Sequence, residues 1–154
     1  MQQTQEPEQP RISSARPELT RALMEKTGLD EQILHDLVHG FYDRVRADPV
    51  LGPIFDARIT DWPPHLERMV SFWSSVALMT GRYHGAPVPA HAQLPVNWAH
   101  FERWLALFRD TAAQVCTPAG AAHVIERAER IARSLNMAVE DAARTSPGAV
   151  PNLR

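Results

Sequence analysis

Seven histidines, four tryptophans, two tyrosines and one cysteine fall within 154 residues, and their spacing decides which chemistry is open to the chain. His35 and His39 stand four apart, so on a helix they share one face as zinc-binding pairs do. No cysteine, glutamate or third histidine accompanies them at ligand-like spacing, which favours two solvated side chains over a metal site. The glycines are too dispersed for a phosphate loop, and Ser74-Ser75 has no evident base beside it. Cys116 follows a long helical pattern instead of opening one, so it reads as a small buried hydrophobe and not as an activated thiol. What survives is a constellation of Tyr42, His65 and Trp104 with His91. The first three fall on the apolar stripes of three different segments: Tyr42 with Val38 and Val45, His65 with Met69, Phe72 and Val76, and Trp104 with Phe101 and Phe108. Singly, each also reads as ordinary core. Together they bring three hydrogen-bonding groups to one apolar interior, which rarely buries that much polarity without something for it to bind. His91 sits in an irregular stretch from which it could ligate a cofactor from the opposite side.

The elements that must position these residues are helices. Apolar residues recur at spacings of three and four over about 17–26, 30–47, from Pro63 onward, 96–116 and 118–143. Asp30 is placed to cap the second of these, and Asp48-Pro49 stops it. Two turn-rich connections, 48–61 and 80–95, lie between helices, the second carrying His84 and His91. No strand alternation is visible, and the fold class expected is all-α. Residues 1–16 read as a flexible N-terminal tail, 17–144 as one folded domain and 145–154 as a flexible C-terminal tail, since both ends are polar or proline-rich and short of apolar residues.

Composition narrows the partners. Sixteen basic against eighteen acidic residues leave a net charge of −2 with histidine neutral, unlike the concentrated basic face that nucleic acid or an anionic membrane requires. A single cysteine excludes an internal disulfide, and no apolar run reaches the roughly 20 residues of a membrane span. The first ten residues lack the apolar stretch of a signal peptide, so the expected location is the cytoplasm.

The run Phe41-Tyr42, Val45-Arg46, Asp48, Leu51-Gly52-Pro53-Ile54-Phe55, Asp61-Trp62 and His65 resembles the truncated haemoglobins of group III. The likeness continues through Phe72-Trp73, Gly81-Arg82-Tyr83, Gly85, Pro87, His91 with Leu94-Pro95, Phe101, Trp104-Leu105, Leu107-Phe108, Arg127-Ala128 and Ile131-Ala132, and so covers about 30–143. The resemblance implies a shortened globin, a two-over-two helical sandwich holding haem b (iron protoporphyrin IX). It implies His91 as the proximal iron ligand, and Tyr42, His65, Met69 and Trp104 as the distal pocket. Phe41, Phe55, Phe72 and Trp73 are the implied haem-packing residues. Haem needs an apolar slot, for which Phe72, Trp73, Val76 and Leu105 are suitable, and cations for its propionates, for which Arg68 and Arg82 are candidates with Tyr83 as a hydroxyl donor. The implied ligands are dioxygen, carbon monoxide and nitric oxide. A redox role such as nitric oxide or peroxide detoxification would draw on an external reductase or electron donor. An N-terminal extension and Pro63-Pro64 ahead of His65 depart from the family pattern. The competing expectation is a cofactor-free helical interaction module in which the aromatic residues are plain core.

Overall fold

The structure is a computed structural model that describes residues 12–85 and 94–145. Its helices are α1 (Pro17–Thr27), α2 (Glu31–Ala47), α3 (Leu51–Arg58), α4 (Trp62–Leu78), α5 (Trp98–Val115) and α6 (Pro118–Thr145), and no strand occurs among the described residues. The fold class is all-α, as the periodicity requires.

Local chemistry sets most of the helix ends. α1 opens on Pro17, whose fixed φ suits a first turn. It closes at Gly28, whose φ of 73° carries its N–H back to the Met24 carbonyl at 2.8 Å. The Asp30 carboxylate accepts from the Ile33 N–H at 2.8 Å and so caps α2. Asn97 and His100 form a reciprocal capping box at the start of α5. The Thr117 hydroxyl accepts from the Gly120 N–H at 2.9 Å and donates to the Thr27 carbonyl at 2.7 Å, so one side chain both starts α6 and ties it to the end of α1.

Within 48–61, expected as a turn-rich connection, the chain forms α3. The Asp48 carboxylate accepts from the Val50 and Leu51 N–H groups at 3.0 and 2.9 Å, supplying the cap. Pro53 stands in the first turn, where no N–H is needed. Gly52 is there because α3 starts hard against the end of α2: a Cβ on it would lie 2.6 Å from the Arg46 carbonyl oxygen. The proline and glycine that look like turn signals both sit where a helix start accommodates them.

α2 and α4 pack together as one pair and α5 and α6 as the other; α2 also packs on α5, and α4 on α6. α3 packs against α2, and α1 against α4 and α6. Leu34, Leu37, Val38, Phe41, Val45, Leu78, Phe108, Val124, Ala128 and Ala132 fill the shared interior. Each large apolar side chain buried there contributes about 1.5–3 kcal/mol. Ahead of α1 the Ala15 N–H donates to the Thr80 carbonyl at 2.9 Å, so the chain is held to the bundle before Pro17. Of the expected tails 1–16 and 145–154, residues 1–11 and 146–154 lie outside the described residues. Among those described, no helix is long and apolar enough to cross a membrane.

Candidate functional site

A cleft of about 680 Å³, solvent at its mouth included, opens beside the core. α2 contributes Tyr42, α3 Leu51 and Phe55, and α4 Met69, Phe72 and Trp73. Across from them stand Leu94 and Val96, then His100, Phe101 and Trp104 of α5 and Ile131 and Leu135 of α6. The walls are almost wholly apolar or aromatic. Such walls favour an apolar occupant over free water.

Tyr42 is its main polar feature. The residue is 7 % exposed, ringed edge-on by Phe41 at 5.0 Å and His65 at 5.2 Å between centroids, with Phe55 at 6.2 Å. Its hydroxyl makes no hydrogen bond to another described residue. Burial pushes its pKa far above the phenol value, so the group stays protonated and serves as a donor at any physiological pH. Trp104 is stacked on Phe108 at 5.9 Å and meets the edge of Phe41 at 5.3 Å, its ring forming part of the wall.

The other expected site residues divide. Phe55, Met69, Phe72 and Trp73 line the cleft with Tyr42 and Trp104. Phe41 does not; it lies one layer back, behind Tyr42 and Trp104, because its α2 position faces Phe108. Val76 and Leu105 are likewise set away from the lining. His65, half-buried, reaches the cleft only through its contact with Tyr42. Arg68, Arg82 and Tyr83 share a separate, more open depression with Pro64, Glu67, Ser71 and His84. That depression adjoins the cleft across Phe72, whose ring meets Tyr83 at 5.2 Å. Arg82 is paired with Glu31 at 3.1 Å. His91 lies outside the described residues.

Sequence reasoning missed Leu51, Leu94, Val96, His100, Phe101, Ile131 and Leu135 as wall residues. His100 carries one usable signal, its position three residues after a capping asparagine: its Nδ1 accepts from the Asn97 N–H at 3.0 Å. The remaining candidates stand apart. The His35 and His39 rings stack at 4.0 Å on the surface of α2, and among the described residues no three metal-binding side chains cluster. His123 bonds the Ala77 carbonyl through Nε2 at 2.8 Å, and burial lowers its pKa. Burial pushes the Cys116 thiol up to about 11, leaving it protonated and unreactive.

Known proteins resemble the chain in both sequence and shape. The bacterial-like globin family model matches residues 22–140. Group 3 truncated hemoglobin ctb of Campylobacter jejuni is 32% identical over 109 residues, covering 68% of this chain and 86% of that protein. Group 2 truncated hemoglobin YjbI of Bacillus subtilis is 26% identical over 84 residues, covering 53% of this chain and 64% of the relative. The crystal structure of the Campylobacter jejuni group III truncated hemoglobin superposes with a TM-score of 0.67 over 71% of this chain and 91% of that one.

Proposed function

The chain belongs to the bacterial-like globins, among the group III truncated haemoglobins, and on that premise we propose that it holds haem b in the cleft and reversibly binds dioxygen and other diatomic ligands. The observation that carries this reading is the Tyr42 hydroxyl, a donor without a protein partner among the described residues, on a side chain that lines an apolar slot. A flat porphyrin suits walls made of Phe55, Met69, Phe72, Trp73 and Phe101. Haem, when bound, supplies an iron centre with a coordination position for a diatomic molecule.

The protein's own part is to bind, orient and exclude water. His91 is the proposed proximal ligand. Tyr42 and the Trp104 indole N–H are the proposed donors to a polarised diatomic ligand, with His65 beside Tyr42. Each neutral hydrogen bond is worth about 1 kcal/mol, so two donors slow release roughly thirtyfold. Slow release suits consumption of the ligand more than its delivery. The reaction proposed is nitric oxide detoxification, in which one nitric oxide and one dioxygen become one nitrate with one electron from an external reductase. Arg68, Arg82 and Tyr83, across Phe72 from the cleft, face the proposed position of the propionates.

Absorption spectra of the protein after haemin addition, in ferric, reduced and carbon monoxide forms, test the reading. A Soret band that shifts at each step, and is lost in His91→Ala, is the expected result. A flat visible spectrum after desalting would overturn it and leave a cofactor-free helical module.

A further inference from the structure

Trp62 is 9 % exposed yet lies outside the cleft lining, and its ring contacts reach two of the expected distal residues, Tyr42 and His65. Its ring meets Tyr42 at 5.8 Å and His65 at 5.5 Å, and those two meet each other at 5.2 Å with planes 85° apart. The three rings close a triangle between α2 and α4. Over Trp62, 4.4 Å from its ring centroid, sits the guanidinium carbon of Arg46, a geometry in which the negative face of the indole attracts the cation. Arg46 is also held from α3, its Nε lying 3.7 Å from Asp56 Oδ1. α2 and α4 therefore meet at one indole, and α3 reaches it only through Arg46.

The backbone beneath is stiff. Trp62 opens α4 and Pro63 and Pro64 follow it, so two of the first three φ angles are preset. Trp62 and His65, three residues apart, occupy one face of that turn. Tyr42 enters from α2, where its backbone is fixed but its ring can still tilt about its side-chain torsions. Trp62 removes the space into which it, or the His65 ring, would tilt.

We infer that Trp62, clamped by Arg46, is a positioning residue for the Tyr42–His65 pair: it aims the Tyr42 hydroxyl into the cleft and confines the His65 ring beside it. The inference rests on the cleft being a diatomic-ligand site. Hydrogen bonds weaken steeply with misalignment, so a loosened Tyr42 loses most of its effect on the ligand without leaving the pocket.

The test uses the haem-loaded protein with carbon monoxide as probe, since the C–O stretching frequency reports the donors facing the ligand. Trp62→Ala is expected to split or broaden a single C–O band and to speed dioxygen release by about fivefold, the loss of one neutral hydrogen bond. Trp62→Phe, which keeps a flat ring, is expected to restore most of both. Arg46→Met changes only an exposed side chain and is expected to shift the band in the same direction by less, with Tm unchanged. If Trp62→Ala does not fold, Arg46→Met and Trp62→Phe carry the test. An unmoved band and rate in Trp62→Ala, or an unmoved band in Arg46→Met where Trp62→Ala does not fold, while Tyr42→Phe moves both, overturns the inference and leaves the globin reading intact. A wild-type protein that takes up no haem overturns both, and is recognised before any variant is made.

Discussion

Two regions bury residues that carry hydroxyl groups and treat those groups oppositely. At the corner where α1 meets the end of α4, every one is engaged. Thr20 donates to the Leu78 carbonyl at 2.7 Å and accepts from Ser14 at 2.7 Å; Ser74 and Thr80 share a bond of 2.7 Å; Thr27 donates to the Leu23 carbonyl at 2.7 Å. In the cleft, Tyr42 is 7% exposed against 0–2% for Thr20, Thr27, Ser74 and Thr80, and its hydroxyl meets no partner among the described residues. A fold that closes its polar groups so completely at one end has the means to do so at the other. The open hydroxyl is the ground on which a ligand is proposed there, because a donor left unmade away from water costs more than a made one gains.

The most severe way to break this contrast is His91→Ala. If the cleft is a haem site, that variant loses haem affinity by a hundredfold or more, on the order of 3 kcal/mol for one iron ligand, measured by haem transfer to an acceptor globin. Retention of wild-type affinity removes the ligand from the comparison. Next comes Thr80→Val, which strands the Ser74 hydroxyl in the closed corner. It is expected to lower unfolding free energy by about 1–3 kcal/mol in urea titration. Tyr42→Phe should do the reverse of Thr80→Val: stability near wild type, because no protein partner is lost, and dioxygen release faster by about fivefold. If Tyr42→Phe is as destabilising as Thr80→Val and leaves release unchanged, the hydroxyl belongs to the fold and not to the ligand.

Met79 gives a smaller test at the same corner. It ends α4 with φ 58° and ψ 35° and is 39% exposed. Met79→Gly relieves a left-handed residue without touching the hydroxyls and is expected to stabilise by about 1 kcal/mol. A loss instead would show that the Met79 side chain, not the backbone, secures the turn into Thr80.

The least effect is expected from acid at the start of α3. The hydrogen bonds from Arg103 Nε at 2.7 and 2.9 Å, with those from the Val50 and Leu51 N–H groups, hold the Asp48 carboxyl below the usual carboxylate range. Its pKa is lower folded than unfolded, so its stabilisation is present above about pH 4 and is lost as pH falls through the folded value. Asp48→Asn should flatten that limb of a plot of urea midpoint against pH. An unchanged limb assigns the acid sensitivity to other carboxylates.

The helices were legible because their causes are local. The stripe through Leu34, Leu37, Val38, Phe41 and Val45, the Asp30 cap and the Gly28 stop each depend on residues within a turn of one another. α3 was not legible, because Pro53 and Gly52 are turn signals until the close approach to Arg46 is known. Site residues followed the same division. Phe72 and Trp73 face the cleft as their stripe suggests, whereas Phe41, on an equally regular stripe, faces Phe108 and lies behind the wall.

What the sequence by itself determined is the set of amphipathic helices, their caps, and the order of aromatic and histidine residues that resembles the group III truncated haemoglobins. Helix periodicity is a property of a few neighbouring residues, and it survives whatever packs against it. The tertiary structure alone decided which hydroxyl remains open, which rings surround it, and that Trp62 and Arg46 close the corner behind Tyr42 and His65. Those facts arise where α2, α3 and α4 meet, and the side chains involved are up to 23 positions apart in sequence, Tyr42 to His65. No local pattern encodes which of them will share a surface, since that depends on crossing geometry and on the volume of every side chain between them.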